Sequence, residues 1–311
     1  MRIFITGGSG FIGSHLSDEL LKENHEITLI VRNLNKEKNI SKNSSKINIV
    51  QIDVTDTVSL EQYIKEKKPD VIFHLAGTTS HKHSFENPLY DIDVNIKSTM
   101  CILESIRQHV PNCKLILGST FIVIGKPERL PVTEGSKCDP TTIYGANRLT
   151  SEHLCKIYHN MYGLDSMSFR ITNCYGPREQ VISDKNAINY LIYKAFNGEK
   201  ITLFNKGQFY RDLIYVSDVI SALKVIMKKG KSGNLYWISS GKKTWFYKFG
   251  NLLTKQTGTK VIFTPTPKYT KKVDVGNFVA NNTKLQKLGW KPKVSLESGI
   301  MKTLDYFKSQ K

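Results

Sequence analysis

Within its first residues the chain runs from a strand-like segment, RIFIT, through a glycine-rich turn, GGSGFIG, into an amphipathic stretch, FIGSHLSDELLKEN. Gly7, Gly8, Gly10 and Gly13 fit both the GxGxxG and the wider GxxGxxG spacing. Such spacing permits a tight turn, lets backbone N–H groups approach a pyrophosphate, and puts that anion at the positive end of a helix. A glycine pattern alone is weak. With a strand before it and a helix after it, the pattern is strong, and it makes Gly7, Gly10, Phe11, Ile12 and Gly13 the candidate phosphate cradle.

The rest of the first half alternates in the same way. RIFIT, HEITLIV, INIVQID, DVIFHLA, KLILGST and DSMSFRI are short, β-rich and often continuously apolar, as strands buried on both faces of a parallel sheet are. Helical patterns such as VSLEQYIKEKK lie between them. The expected fold is α/β, a doubly wound parallel sheet over residues 1–172. After NCYGPRE the rhythm breaks into isolated strands (ITLF, DLIYV, VIFTP) and further helices. Residues 173–311 are therefore expected to form a smaller C-terminal α/β lobe, with segments around 212–229 and 272–282 returning to the first domain. The polar loop 32–46 is expected to be mobile, and there is no internal repeat.

Nineteen residues beyond Gly13, where an NAD site would place an acid for the ribose 2′-hydroxyl, the second strand ends in LIVRN. Arg32 cannot accept that hydroxyl's hydrogen bond but can pair with a 2′-phosphate, so the reading leans toward NADP over NAD. The alternative is a surface arginine at a strand end. Asp53, closing INIVQID, is a candidate for the adenine side of the pocket or a turn cap.

Bulk properties exclude several classes. The 311 residues are 40% hydrophobic and 23% charged, which suits a folded soluble protein, and no apolar run reaches membrane-spanning length. The strand-like start leaves no room for a signal peptide, and five cysteines without CxxC pairing fit reduced thiols, so a cytoplasmic protein is expected. The net charge of +18 would attract anions, but the basic residues form no single block with interleaved aromatics. They are read as solvated faces, not as a nucleic-acid site.

The sequence resembles the extended short-chain dehydrogenase/reductase family, the nucleotide-sugar epimerases and dehydratases. The likeness runs in order through TGGSGFIG, DVIFHLAG, NPLYDIDVNIKST, GSTFIVIG, YGANRLTSE, RITNCYGPRE, GQFYRDLIYVSDV and LGWKP, nearly the full length. It implies a Rossmann-type domain with a C-terminal substrate-binding lobe. It also implies a nicotinamide cofactor contacted by Val54, Leu75, Ala76, Gly77 and Asn95 as well as the cradle, a nucleotide-sugar substrate, no metal, and a homodimer. In the family the tyrosine, here Tyr144, takes a sugar hydroxyl's proton while the same carbon gives up hydride. A free tyrosine titrates at about 10, so a fixed cation must lower that value. The resemblance makes Thr120 the partner on the same oxygen and puts Arg148 where the family carries lysine. Arginine keeps the charge but is longer, planar and always protonated.

Asn173 and Arg211 match positions that touch the substrate diphosphate, and Arg211 has a competing salt-bridge reading with Asp212 or Asp218. Lys271 or Lys272 stands where the family often has a second arginine, and Ser84 is expected to touch cofactor or substrate. His81 and His83 lack a third metal ligand and read as loop residues. Thr120 is followed by Phe121 and Ile122, not the acid pair a dehydratase needs. The expected activity is 4-epimerisation of an NDP-hexose, a UDP-sugar foremost. The alternatives are an NADPH-dependent 4-keto-sugar nucleotide reductase and, because of Arg148, a non-catalytic nucleotide-sugar or NADP-binding protein.

Overall fold

The computed structural model describes residues 1–34, 39–40, 46–182 and 187–310; most of the loop 32–46 lies outside them, as does the side chain of His81. Six strands are the six apolar runs of the first half: β1 (Arg2–Thr6), β2 (Glu26–Val31), β3 (Ile47–Gln51), β4 (Val71–His74), β5 (Lys114–Thr120) and β6 (Ser166–Ile171). They form one sheet with a seventh strand, Leu235–Ile238, in the order Leu235–Ile238, β6, β5, β4, β1, β2, β3, and every pairing is parallel.

The apolar continuity of these runs has a direct cause. Successive side chains point to opposite faces of the sheet, and both faces are covered. Ile3 and Ile5 enter one core with Leu16 and Leu20 of the helix Phe11–Leu21. Phe4, between them, enters the other core with Leu60, Ile64, Ile102 and Ile106.

The chain order reverses direction between β1 and β4, and the crevice opens at their C-terminal ends, the place where doubly wound sheets bind ligands. The seventh strand, LYWI, is only four residues long between the turn-type segments GKSGN and SSG. It is held by register against β6, with Trp237 opposite Arg170.

Past β6 the strands are short and pair in twos: Asn173–Tyr175 with Leu213–Tyr215, Ile201–Phe204 with Val261–Thr264, and Tyr210–Arg211 with Thr244–Trp245. The helix Val216–Lys229 packs on Phe11–Leu21, and Val132 bridges to Ala280. A third apolar cluster, including Ile122, Tyr144, Trp237 and Phe278, joins segments distant in sequence beneath the crevice. Among the described residues no helix is long and apolar enough to cross a membrane.

Candidate active site

The glycine turn is closed by its own backbone. Gly7 N–H donates to Ile30 O at 3.0 Å and Gly10 N–H to Gly7 O at 2.9 Å, with Gly7 at φ 68°. A side chain at Gly7 would put its first carbon 2.9 Å from Ala76 N, and one at Gly13 would collide with Gly7 O. Gly10 caps the helix Phe11–Leu21 without a side chain, and the helix has no acid in its first turn. Its first N–H groups and positive dipole end therefore stay available to an anion.

A cavity of about 410 Å³ runs from this turn along the crevice. The cradle residues, Arg32, Asp53, Val54, residues 75–77, Tyr144 and Arg148 all line it. At its far end the exposed Arg32 donates to Tyr90 Oη at 2.5 Å, and no carboxylate among the described residues pairs with it. Asp53 both lines the cavity and caps a turn, accepting from Thr55 N–H at 3.0 Å and Thr55 Oγ1 at 2.9 Å.

A second cavity, about 1130 Å³, opens between the sheet and the C-terminal lobe. Thr120 and Tyr144 stand where the two meet: Thr120 lines the larger, Arg148 the smaller, and Tyr144 both. Thr120 ends β5, and its Oγ1 accepts from Ile122 N–H at 3.3 Å. Tyr144 sits in the first turn of the helix Ile143–Tyr162, which starts there because Thr142 caps it, accepting from Gly145 N–H at 3.1 Å.

Arg148 follows one helical turn later and is buried. Its Nη1 donates to Gly118 O at 3.1 Å and its Nη2 to Ala76 O at 2.9 Å, so the guanidinium ties the chain just after β4 to β5. Its central carbon is 6.0 Å from the centre of the Tyr144 ring. Any side chain on Gly77 would run into it.

Asn95 does not line either cavity surface. It lies below Gly77, in a π-helical turn over Asp93–Lys97, where its Nδ2 donates to Asp91 O and Asp91 Oδ1, each at 2.9 Å, and to Thr78 Oγ1 at 3.0 Å. The buried Asn95 Oδ1 and Arg148 Nε have no hydrogen-bond partner in the protein. Only Arg148 also lines the smaller cavity, while Asn95 Oδ1 sits behind Gly77.

Sequence reasoning missed the group beneath them. Asp91 is fully buried and accepts from Asn147 Nδ2 at 2.7 Å as well as from Asn95 and Thr78. The only sequence signal is its spacing, one helical turn before Asn95. Nearby, the buried His74 is bonded to Thr6 Oγ1 at 2.7 Å and Ser98 Oγ at 3.1 Å. Burial, and then the charge of Arg148, push it down to about 3, so it stays neutral.

In the larger cavity Asn173 presents a buried Oδ1 with no partner in the protein. Arg211 lines the same space, and its salt bridge is with Asp274, not with Asp212 or Asp218. Its Nη1 also donates to Tyr210 O at 3.2 Å and to Gly276 O. Asp212 is occupied elsewhere, accepting from Ser240 N–H at 2.8 Å, Gly241 N–H at 3.1 Å and Ala280 N–H at 3.2 Å. Asp218 accepts from Lys293 N–H at 3.0 Å and Val294 N–H at 2.9 Å, just past LGWKP, whose Trp290 Nε1 donates to Asp218 O at 3.2 Å.

Two expected contacts sit apart from the cavities. Ser84 is buried within the helix His81–Glu86, and Lys271 is exposed on the helix Lys268–Val273, whose Thr270 and Val273 line the cavity in its place. Among the described residues no cluster of histidine, cysteine and acidic side chains could hold a metal.

Comparison with known proteins meets this geometry. The family model described as "NAD dependent epimerase/dehydratase family" matches residues 3–239. A putative UDP-glucose 4-epimerase of Methanocaldococcus jannaschii is 30% identical, over 99% of this chain and 98% of its own length. The Thermotoga maritima UDP-glucose 4-epimerase solved with UDP-glucose superposes with a TM-score of 0.92 at 28% identity, over 100% of this chain and 99% of that one. The Thermus thermophilus UDP-glucose 4-epimerase solved with NAD gives 0.89 at 28% identity, covering 99% of both chains. Sheet order, glycine cradle and full-length relatives agree: the chain is an enzyme of the NAD dependent epimerase/dehydratase family, of the extended short-chain dehydrogenase/reductase type.

Proposed function

We propose that the protein is a nucleotide-sugar 4-epimerase acting on an NDP-hexose, with a UDP-sugar as substrate. The carrying observation is the position of Tyr144 at the junction of two cavities, with Thr120 on one side and Arg148 on the other. A dinucleotide in the smaller cavity would be held by the glycine cradle at its pyrophosphate, by Arg148 at a ribose with Asn95 acting indirectly from behind, and by Arg32 and Asp53 at the adenosine end. Bound there, its nicotinamide supplies a hydride acceptor that returns what it takes.

The protein's own groups then divide the work at the sugar. Tyr144 takes the proton of the C4 hydroxyl and later gives it back. Thr120 Oγ1 already accepts from Ile122 N–H, which leaves its own hydrogen to donate to the sugar oxygen. Arg148, a fixed cation one helical turn away, favours the ionised form of Tyr144 that must accept this proton. Arg211 and Asn173 are the diphosphate contacts, and Arg211 must exchange part of its bond to Asp274 for phosphate. The larger cavity has room for the oxidised sugar to present its other face. Phe121 and Ile122 carry no acid or base, so water elimination has no agent at that position.

One observation favours a second reading. Among the described residues no acid competes for Arg32, which suits a 2′-phosphate and would favour NADP and a 4-keto-sugar reductase. A non-catalytic role rests on Arg148 alone. Two further expectations belong here. Leu89, 76% exposed, and Met161, 70% exposed, lie with Ile157 and Tyr162 on the helices expected to pair in a homodimer. None of the five cysteines is in a disulfide, which fits a cytoplasmic setting.

The test is incubation of the protein with UDP-glucose, UDP-galactose and their N-acetyl counterparts, with NAD or NADP, read by NMR of the sugar products. Interconversion at C4 that Tyr144→Phe abolishes supports the proposal. Turnover only of a 4-keto substrate with NADPH would establish the reductase, and ligand binding without any turnover would establish the non-catalytic role.

A further inference from the structure

The basic residues form no linear block, yet they are not spread evenly. Residues 1–172 hold 20 lysines and arginines against 19 aspartates and glutamates; residues 173–311 hold 25 against 8. From 219 to 311 the counts are 19 and 3. Each of those three acids is paired: Asp274 with Arg211, Glu297 with Lys255 at 3.7 Å, and Asp305 with Lys308 at 3.3 Å. Almost the whole net charge therefore belongs to the C-terminal lobe, where little opposes it.

That lobe also carries an apolar ridge. Its outer strand, Val261–Thr264, pairs on one side only, with Ile201–Phe204, and Ile262 and Phe263 are 42% and 54% exposed. Neighbours in a strand point to opposite faces, so exposure of both means that the strand stands proud of the lobe. Lysines border it. Lys260 opens the strand and its carbonyl accepts from Ile201 N–H at 3.0 Å, which brings Lys200 alongside; Lys268 follows the strand. Lys248 and Lys255, both exposed, stand on the helix Phe246–Thr257, which packs on both strands, and Tyr247 is exposed at its start.

We propose that the C-terminal lobe docks on an anionic lipid bilayer, with Ile262 and Phe263 entering the headgroup boundary and the surrounding lysines facing lipid phosphates. Apolar residues rimmed by flexible cations match that boundary, where a buried tip and electrostatic attraction act together. The composition argues against nucleic acid. Of the 25 basic residues in this half 23 are lysines, and the two arginines, Arg178 and Arg211, are paired with Asp18 and Asp274. No planar fork is left for bases, so base readout by arginine has no agent here. The inference stands apart from the sugar assignment, since it uses neither cavity.

The experiment is flotation of the purified full-length protein with vesicles of phosphatidylcholine, with and without phosphatidylglycerol. Binding is expected only where phosphatidylglycerol is present, and it should fall at least about tenfold on raising salt from ~0.1 to ~1 M, where the screening length shrinks to about 3 Å. The double variant Ile262→Ser, Phe263→Ser should weaken binding about tenfold with an unchanged melting temperature. Lys255→Glu with Lys260→Glu should do the same without touching the apolar tip. No binding to the anionic vesicles, equal binding to neutral ones, or full binding by both double variants would overturn the proposal. So would a polyuridylate RNA that binds more tightly than the vesicles.

Discussion

The two halves of the chain build their candidate sites on different structural terms. In residues 1–172 the cradle is mostly local: strand, turn and helix are consecutive, and Gly10 to Gly7 and Ser14 to Gly10 are short-range bonds, with Gly7 to Ile30 the longer one, 23 residues on. In residues 173–311 the site is assembled from afar. Arg211 is bonded to Gly276 and Asp274, 65 and 63 residues away, and Asp212 to Ala280, 68 residues away. The cofactor side should therefore fail by loss of a shape and the substrate side by loss of a network.

The largest effect tests the first half of that contrast. Gly13→Val forces a branched side chain into Gly7 O, with no flexible neighbour to give way. The expected outcome is complete loss of dinucleotide binding in a calorimetric titration, with a lowered melting temperature. Retained binding would show that the turn is looser than its bonds indicate.

Next comes Tyr144→Phe, where both halves meet. General-base contributions commonly amount to about 10²- to 10⁴-fold, so kcat should fall by that range while KM for the sugar nucleotide changes little. An unchanged kcat would mean that another group handles the proton.

The same contrast explains what the sequence made legible. Six of seven main-sheet strands were readable because burial on both faces leaves a continuous apolar run, and the cradle because its glycines are consecutive with their strand and helix. LYWI was not, since four residues at an edge carry no period of their own and depend on register against Arg170. Thr120, Tyr144 and Arg148 could be named as candidates, but not what Arg148 is bonded to. Nothing in YGANR reveals that its guanidinium is spent on Ala76 O and Gly118 O. Likewise the partner of Arg211 was sought among its near neighbours and lies on a segment more than sixty residues on. The charge asymmetry was present in the sequence and visible only by counting each half separately.

Asp212→Ala probes the assembled half. Burial raises this carboxyl against the bonds that lower it, and removal leaves the N–H groups of Ser240, Gly241 and Ala280 without their acceptor. Each unsatisfied buried donor costs about 1–3 kcal/mol, partly relieved by water, so a net loss of about 3 kcal/mol is expected in urea unfolding. A loss under about 1 kcal/mol would mean that the network is dispensable and the lobe is held mainly by apolar packing.

A smaller effect is expected from Arg148→Lys. A lysine ammonium cannot span both carbonyls in the fixed fork that arginine uses, so it is freer to turn toward the ribose and Tyr144. Turnover should rise by up to about tenfold while the melting temperature drops, because the tie between the two strand ends is lost. A fall in turnover together with the lost stability would show that tying the two segments together matters more to the reaction than reaching the ribose.

The smallest effect lies on the seam between the halves. Glu23, just past the first helix, accepts from Lys224 Nζ at 2.7 Å and Lys228 Nζ at 2.6 Å on the helix Val216–Lys229. Those two hydrogen bonds hold its carboxyl at about 2, below the usual 4.5. A carboxyl depressed by folding stabilises the native state above its unfolded value and loses that contribution as pH falls from about 4.5 toward 2. The group is partly solvated, so its worth at neutral pH is set at about 0.5–1 kcal/mol, reduced by salt. Glu23→Gln should lower unfolding stability by that amount at pH 7, and the gap to the parent should close as the pH drops through that window. A gap that stays constant with pH would assign the loss to packing at the seam instead of charge.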